Sequence, residues 1–301
     1  MKLTKKQFKS VCKKLNSKLI RKSFLGRGAH NENFLLETDK GKFVLRIENN
    51  LHFKNIKREY RFLKKTEGEF GPKVFLFDDS KKIISKDYLV EEFLVGTHPP
   101  KKVTDDFIQA MAKWYSQIHK NKKKELPNLP EERNWVRRHA KSKKFLKKDV
   151  REDLDVLCEK AREIFVSNRK LFLDRTASLN HGDPSRENIF YENSGVRLID
   201  WEFVGYDFPE ADLVFFVWSY DLSDKQKNLF LKTYGYKRSK KRFEIMFLTH
   251  ILAMISWYVE RLGFVIEKKI DKNQSCSTEK EIYHEININI PRAKKVLRSL
   301  K

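Results

Sequence analysis

The residue types best suited to chemistry stand close together in the middle of the chain. Asp183 and Asn188 lie in the loop 181–190 (HGDPSRENIF), and Asp200 follows the apolar segment 196–199 after a short turn. Phosphoryl transfer needs few protein groups, namely a carboxylate near the attacking hydroxyl and oxygen ligands that hold Mg²⁺ on the phosphates. Asp183 suits the first role, and Asn188 and Asp200 suit the second.

The spacing of these residues indicates that they share one site. An H-x-D-x-x-x-x-N loop carries its Asp and Asn on one tight turn, and a short hairpin then sets the next Asp across from them. Asp and Asn are also common turn formers, so either half of the pattern alone has a purely structural explanation. Both halves together, with twelve residues from Asn188 to Asp200, favour the catalytic interpretation.

The elements that must position this loop fall into two groups along the chain. Residues 24–95 have the pattern of short strands around one helix, and a glycine and two prolines interrupt the regular pattern over residues 94–100. From Thr104 onward, apolar residues recur at helical spacing. The sequence therefore predicts an α+β fold of two lobes. A small β-rich lobe with an amphipathic N-terminal helix covers residues 1–95, and a larger α-helical lobe covers residues 96–301.

Composition favours a folded chain in a reducing compartment. With 301 residues and 40% hydrophobic content, the chain can bury a substantial core. Cys12, Cys158 and Cys276 are far apart and form no C-x-x-C pair, which argues against a disulfide framework and against a zinc site. No stretch approaches the ~20 apolar residues of a membrane span, and the N-terminus has no uninterrupted apolar region. We expect a cytoplasmic protein without a transmembrane segment.

The net charge of +23 is the most unusual bulk property. Such a charge is typical of proteins that bind nucleic acid, an anionic membrane surface or a polyanionic substrate. Residues 120–148 contain twelve Lys or Arg and three acidic residues, a local net charge of +9. Because Lys and Glu are spread along the whole chain and no RRM, KH or zinc-finger signature is present, we favour a solvated basic face over a nucleic-acid site, which stays open as an alternative.

The loop 181–190 together with residues 198–216 (LIDWEFVGYDFPEADLVFF) resembles the aminoglycoside phosphotransferase and choline kinase superfamily, most of all its choline/thiamine-kinase-like branch. The resemblance implies a two-lobed protein-kinase-like fold with ATP and Mg²⁺ as cofactors. It also implies that Asp183 is the catalytic base and that Asn188 and Asp200 bind magnesium.

Histidine and acidic residues around this loop receive supporting roles from the same resemblance. In kinase-like loops the position of His181 is structural, hydrogen-bonding the backbone near the metal-binding Asp. Asp212 falls in the family's DL pattern and is expected to brace the C-terminal lobe. His119 is expected to pack or to cap a helix end.

Nucleotide binding is expected from the N-terminal lobe. Gly26 and Gly28 lie in a turn between apolar segments that resembles the family's phosphate-covering loop, whose backbone N–H groups could face the phosphates. Strand alternation places Arg46 among apolar neighbours, where a cation needs an anionic partner. Glu59 on the following helix is the natural partner, as in the Lys–Glu pair of kinases.

The segment 90–94 (VEEFL) is the predicted hinge between the lobes. Backbone groups of Glu92 and Phe93 are expected to pair with the adenine edge.

Acceptor recognition is predicted from chemistry. An ammonium alcohol is held by aromatic faces and a carboxylate, and the C-terminal part of the chain supplies Glu202 with several aromatic residues. Aromatic residues at helical spacing also commonly form a core. The candidates are Trp201, Glu202, Trp218, Tyr220, Trp257 and Tyr258.

The resulting hypothesis is an ATP- and Mg²⁺-dependent kinase that phosphorylates a hydroxyl of a small molecule, such as a choline-, ethanolamine- or thiamine-like amino alcohol. Aminoglycoside, homoserine and sugar acceptors stay open, because family membership does not select among them. A non-catalytic nucleotide- or nucleic-acid-binding module is disfavoured, since it would not need the full set of site residues. A protein kinase is disfavoured because the chain has no D-F-G or A-P-E triplet.

Overall fold

The computed structural model describes residues 3–28, 31–48, 56–100, 102–124, 127–174, 176–192, 195–269 and 276–300. The chain divides into two compact units. Unit 1 comprises Met1–Trp114 and His181–Gly205, and unit 2 comprises Tyr115–Asn180 and Tyr206–Lys301. The segment that carries the predicted catalytic loop, His181–Gly205, therefore belongs to the same unit as the N-terminal residues. The division into lobes of residues 1–95 and 96–301 stays a prediction.

Strands dominate the N-terminal part of the chain and helices the C-terminal part. In chain order, the elements of the described residues are α1 (Lys5–Lys14), β1 (Leu19–Arg27), β2 (Asn31–Thr38), β3 (Gly41–Glu48), α2 (Ile56–Thr66), β4 (Val74–Asp78), β5 (Tyr88–Glu92), α3 (Asp105–Ile118), β6 (Lys122–Lys124), α4 (Asn134–Ser142), α5 (Lys148–Ser167), β7 (Thr176–Asn180), β8 (Ile189–Glu192), β9 (Gly195–Leu198), β10 (Gly205–Asp207), α6 (Glu210–Ser219), α7 (Asp224–Tyr234), α8 (Lys240–Ile266) and α9 (Glu279–Ser299).

Unit 1 is built on a five-stranded antiparallel sheet in the order β1-β2-β3-β5-β4. Helix α1 begins at a capping box, in which Thr4 and Gln7 bond each other's backbone N–H groups, and it buries Phe8, Val11 and Cys12 on one face of the sheet. That face contributes Phe34, Leu36, Leu45, Ile47, Tyr88 and Val90 to a shared core.

The opposite face of this sheet carries charged residues. Successive side chains of a strand point to opposite faces, so Arg46, between Leu45 and Ile47 on β3, faces away from α1. The antiparallel register pairs Arg46 with Leu89 and Val44 with Glu91, which places Glu91 of β5 on the same face. The hairpin of β8 and β9 completes unit 1 and follows the predicted catalytic loop.

Unit 2 is mainly helical, with a small sheet in the order β10-β7-β6. Helix α8 is its central element and packs against α4, α6 and α9. By length and composition, α8 is the one helix among the described residues that could cross a membrane, but 67% of its most apolar stretch is buried. Burial of this extent is equally typical of a core helix, so the helix is weak evidence for a membrane span.

Candidate active site

The loop that carries Asp183 depends on a glycine. Gly182 has a φ of +90°, and a Cβ at this position would lie 2.7 Å from the carbonyl oxygen of Phe203. Any other residue would therefore be strained in its backbone and would collide with a neighbouring carbonyl. Gly182 lets the chain turn directly into Asp183.

His181 and Asn188 fix the two ends of this loop. The His181 ring is fully buried; its Nε2 lies 3.0 Å from the carbonyl oxygen of Ile199, and its Nδ1 accepts from the N–H of Asp183 at 3.2 Å. These bonds require the neutral tautomer with its proton on Nε2. Asn188 Nδ2 donates to Asp183 O at 2.9 Å and to Asp183 Oδ2 at 3.2 Å. The contacts of His181 support the structural role predicted for it.

Asp200 is brought to the same loop by the hairpin. The N–H of Ile199 donates to the carbonyl oxygen of Asn188 at 2.9 Å, which ties the end of the hairpin to the loop. Asp200 then adopts left-handed backbone angles, with φ at 67° and ψ at 60°. Its side chain is 31% exposed, and Oδ1 accepts from Arg46 Nη2 at 2.6 Å. Asp183, Asn188 and Asp200 therefore lie together, as the sequence predicts.

Arg46 is surrounded by carboxylates. Its guanidinium is 4% exposed, and Nη1 lies 3.0 Å from Glu59 Oε1 and 3.8 Å from Glu91 Oε1. Glu59 is buried in an apolar stripe of α2, and its Oε1 also accepts from the N–H of Trp201 at 3.0 Å. The predicted pairing of Arg46 with Glu59 is present in the structure.

Glu91 is a site residue that sequence reasoning missed. Strand alternation in β5 places it on the same face as Leu89, but the partner strand and the register cannot be read from that alternation. The structure pairs β5 with β3, and this pairing brings Glu91 to Arg46.

Burial perturbs the acids of this cluster. Burial raises the pKa of Glu59 to about 8 and that of Glu91 to about 7, although the Arg46 guanidinium opposes both shifts. Burial also raises the pKa of Asp183 to about 7, and the neighbouring charges of Asp200 and Glu202 add to the increase. Acids with raised pKa values in one cluster are typical of functional sites.

The predicted hinge residues have defined partners inside unit 1. Glu92 accepts two hydrogen bonds from Arg197, at 2.9 and 2.6 Å, and its N–H donates to the carbonyl oxygen of Lys73 at 2.8 Å. The N–H of Glu92 is therefore not available to a nucleotide base, and recognition of adenine by the other backbone group of Glu92 stays a prediction. Phe93 is half-buried, and backbone groups from Phe93 onward stay candidates for adenine recognition.

The glycine turn lies between β1 and β2. Gly26 is located at an irregularity of the strand register, and a Cβ there would meet no atom within 4 Å. Gly28 donates its N–H to the carbonyl oxygen of Asn31 at 2.9 Å. Ala29 and His30, which follow Gly28 in the sequence, lie outside the described residues. The phosphate-covering role of Gly26 and Gly28 stays a prediction.

Trp201 and Glu202 were predicted to contact the acceptor, and the structure separates their roles. Trp201 is 0% exposed, its ring packs 4.3 Å from those of Phe62 and His181, and its Nε1 donates to Leu198 O at 2.8 Å. Its ring is a core element of unit 1, so the prediction of an acceptor contact by Trp201 is wrong. Glu202 is buried, and its negative charge acts on Asp183.

The other predicted acceptor residues belong to unit 2: Trp218 lies in α6, Tyr220 directly follows it, and Trp257 and Tyr258 lie in α8. Tyr258 is buried, whereas Trp257 is half-buried, with the guanidinium of Arg261 located 5.6 Å from the centre of its ring. One face of the Trp257 ring is therefore already used by a cation of the protein.

Asp212 is buried in the same unit. It lies 3.5 Å from His119 Nε2, and its N–H donates to Asn180 Oδ1 at 3.3 Å. These contacts support the bracing role predicted for Asp212.

The donor set of the loop suits a hard divalent cation. Among the described residues, no group of three or more His, Cys, Asp or Glu side chains is placed to hold a metal. Magnesium, however, commonly takes one or two protein oxygens and completes its shell with phosphates and water. Asn188 uses its Nδ2 for Asp183, which leaves Oδ1 as the amide atom that can bind a cation, and Asp200 is partly exposed. Asn188 and Asp200 therefore both suit a bound Mg²⁺ ion.

Comparison with known proteins agrees with this geometry. Residues 23–243 match the model of the APH family, described as the phosphotransferase enzyme family. The chain belongs to this family. No curated protein sequence is significantly similar to this phosphotransferase.

Solved structures resemble the phosphotransferase over most of its length. A suspected aminoglycoside phosphotransferase from Ralstonia eutropha JMP134 has a TM-score of 0.71 at 13% identity, covering 98% of this chain and 99% of that one. The choline kinase LicA from Streptococcus pneumoniae has a TM-score of 0.66 at 16% identity, covering 93% and 94%. A spectinomycin phosphotransferase in complex with ADP and spectinomycin has a TM-score of 0.67 at 15% identity, covering 98% and 99%. These likenesses confirm the predicted α+β, protein-kinase-like fold, and together with the family they support a small-molecule phosphotransferase.

Proposed function

We propose that this phosphotransferase transfers the terminal phosphoryl group of ATP to a hydroxyl of a small molecule in the cytoplasm, with Mg²⁺ as its metal. The observation that carries the proposal is the grouping of three residues: Asn188 Nδ2 donates to Asp183, and the charge of Asp200 acts on Asp183. Arg46 is bonded to Asp200 at the same place. Related structures were solved with nucleotides, one of LicA with AMP and one of a spectinomycin phosphotransferase with ADP.

Asp183 is the proposed catalytic base. It receives the proton of the acceptor hydroxyl and orients that hydroxyl toward the phosphoryl group. A pKa of about 7 suits this role, because proton transfer is most efficient when the pKa of the base lies near the working pH. Asn188 and His181 keep Asp183 in place through the bonds described above.

Arg46, Asn188 and Asp200 are the proposed groups on the phosphate side. Asn188 Oδ1 and the Asp200 carboxylate would hold Mg²⁺, which when bound neutralises charge on the phosphates. Arg46 supplies a fixed positive charge, and Glu59 holds its guanidinium at 3.0 Å. Electrostatic preorganisation of this kind supplies a large share of the catalysis in phosphoryl transfer.

The proposed acceptor is a cationic amino alcohol, similar in chemistry to choline, ethanolamine or thiamine. Glu202 supports this choice, because a buried carboxylate close to the proposed base favours a positive group on the acceptor. Aminoglycosides, which also carry ammonium groups, are the nearest alternative. Homoserine carries an ammonium group together with a carboxylate of its own, and a neutral sugar would need no such carboxylate from the protein.

A variant pair tests the reaction. Asp183→Asn keeps the size of the side chain and an oxygen for Asn188, so we expect turnover to fall about 10²- to 10⁴-fold while ATP binding is retained. Glu187→Gln is the matched control, because Glu187 is an exposed carboxylate of the same loop. Near-normal turnover of Asp183→Asn, or an equal loss in Glu187→Gln, would refute the assignment.

An acceptor panel tests the substrate. Choline, ethanolamine, thiamine, aminoglycosides, homoserine and simple sugars are compared for acceptor-stimulated ATP consumption with Mg²⁺. We expect a cationic acceptor to be preferred and Glu202→Gln to raise the KM of that acceptor without raising the KM of ATP. A preferred neutral sugar with no effect of Glu202→Gln would refute the acceptor class and leave the kinase assignment in place.

A further inference from the structure

Glu91 has no role in the reaction as described, yet it belongs to the same buried cluster. It shares its face of the sheet with Arg46, and its side chain is 4% exposed. One of its oxygens, Oε1, lies 3.8 Å from Arg46 Nη1. The other, Oε2, is buried and has no hydrogen-bond partner within the described part of the chain. Glu59 Oε2 is buried without a partner in the same way. A buried acceptor without a donor is costly, so Glu91 Oε2 can gain a hydrogen bond from a donor that moves toward it.

Arg46 makes unequal bonds with its three acids. Glu59 is fixed independently of Arg46, because the backbone N–H of Trp201 holds the same oxygen. Asp200 makes the shortest bond to Arg46, at 2.6 Å, and it is the acid of the three that is partly exposed. The guanidinium therefore occupies Asp200 Oδ1, one of the two carboxylate oxygens that the proposed divalent cation could use.

The charges of the cluster suit the replacement of Arg46 by a divalent cation at Asp200. The three acids share the single positive charge of Arg46, so a divalent cation at Asp200 would compete with the guanidinium for the same carboxylate. If such a cation bound Asp200, its charge would repel Arg46, and the guanidinium would lose its bond to that carboxylate. Glu91 already lies within ion-pair distance and offers a free oxygen.

We propose that Glu91 is a positioning residue that receives the Arg46 guanidinium when Asp200 binds a divalent cation. This inference rests on the proposed function. In the exchange, Arg46 gives up its Nη2 bond to Asp200, keeps its Nη1 bond to Glu59, and moves toward Glu91. Arg46 stays charged and buried throughout, and Asp200 becomes accessible to the cation.

Cation binding provides the test, with Mn²⁺ as the probe and a non-hydrolysable ATP analogue present. Free Mn²⁺ is measured by electron paramagnetic resonance for the full-length chain and its variants. Glu91→Gln keeps the shape of the side chain but attracts Arg46 less, so we expect Mn²⁺ to bind roughly tenfold more weakly, the size of one charged hydrogen bond. Asp79→Asn is the control, because it removes one negative charge from an exposed position of the same unit. It should leave Mn²⁺ binding unchanged.

An Arg46→Met background separates positioning from direct metal binding. If Glu91 acts through Arg46, Glu91→Gln has no effect on Mn²⁺ binding in that background. An equal loss in both backgrounds would make Glu91 a metal ligand and overturn the inference. Unchanged Mn²⁺ binding in the Glu91→Gln single variant would also overturn it.

A crystal structure of the unaltered protein with Mn²⁺ and the ATP analogue tests the same inference without any variant. We expect Arg46 in hydrogen-bond contact with Glu91 and no longer with Asp200, and an Arg46 still bonded to Asp200 would overturn the inference. If the unaltered protein bound no Mn²⁺ with nucleotide, the proposed function would fail as well. Normal Mn²⁺ binding with an insensitive Glu91→Gln would remove only the role of Glu91.

Discussion

Glu59 offers the sharpest test of how the cluster is held together. Its Oε1 accepts from Arg46 Nη1 and from the N–H of Trp201, each at 3.0 Å, and the side chain is fully buried. Glu59→Ala removes the oxygen that accepts from both donors and leaves a buried guanidinium short of one acidic partner. Loss of one partner of a buried ion pair typically costs about 3–5 kcal/mol of unfolding free energy.

Glu59→Gln separates charge from hydrogen bonding. The amide oxygen can still accept from the N–H of Trp201 and from Arg46, and the other two acids, Glu91 and Asp200, still balance the guanidinium. The substitution also relieves repulsion among three neighbouring acids. We expect Glu59→Gln to cost about 1 kcal/mol, well below the alanine variant.

Urea unfolding, followed by circular dichroism and by tryptophan fluorescence, measures the free energy of unfolding of both Glu59 variants. The comparison requires that the variants have equal m-values. The KM for ATP is measured in parallel, and we expect it to rise more in Glu59→Ala, because Arg46 loses its fixed position. Equal destabilisation by both substitutions, or a loss below about 1 kcal/mol for alanine, would refute the account of Arg46 anchoring.

The remaining predictions concern the metal, the half-buried residue His250 and the basic surface. Asp200→Asn should both raise the Mg²⁺ concentration needed for half-maximal activity and weaken Mg²⁺-dependent ATP binding. An unchanged Mg²⁺ titration would contradict the metal role of Asp200. Burial, aided by the charge of Arg133, lowers the pKa of His250 to about 3, so below its ordinary pKa only the unfolded chain takes up the proton. Stability should therefore fall as the pH drops from about 6.5 toward 3, by about 1–2 kcal/mol at pH 5, and a His250→Asn variant measured by urea unfolding should lose this part of the pH dependence. If residues 120–148 are only a solvated face, DNA binding should be weak, independent of sequence and steeply reduced by salt, and tight binding above physiological salt would restore the nucleic-acid alternative.

The grouping of Asp183, Asn188 and Asp200 was predictable because these residues are close together in the sequence. Asp183 and Asn188 are five residues apart, and a short hairpin determines where Asp200 returns. The pairing of Arg46 with Glu59 was also predictable, because a cation between apolar strand residues needs a buried anion and the next helix offers one.

What the sequence could not predict depends on contacts between distant parts of the chain. Trp201 has the residue type of an acceptor contact, but Phe62 and His181 enclose its ring in the core. The N–H of Glu92 is used by Lys73 because β4 pairs with β5 at that point. Glu91 was missed for the corresponding reason, since only the pairing of β3 with β5 brings it to Arg46. Residue type suggests a role, but strand pairing and packing decide whether the group is available for it.

The charge of the whole chain and the charge of the site act over different distances. The net charge of +23 attracts the polyanionic nucleotide from afar and repels a cationic acceptor. At physiological ionic strength this field is screened beyond about 8 Å, so a group that enters the site responds mainly to the nearest residues. Those residues include Asp183 and the two acids whose charges act on it, Asp200 and Glu202. Attraction of the nucleotide by the basic surface and binding of a cation by local acids are therefore compatible. Raising the salt concentration should slow nucleotide association more than it weakens discrimination between cationic and neutral acceptors.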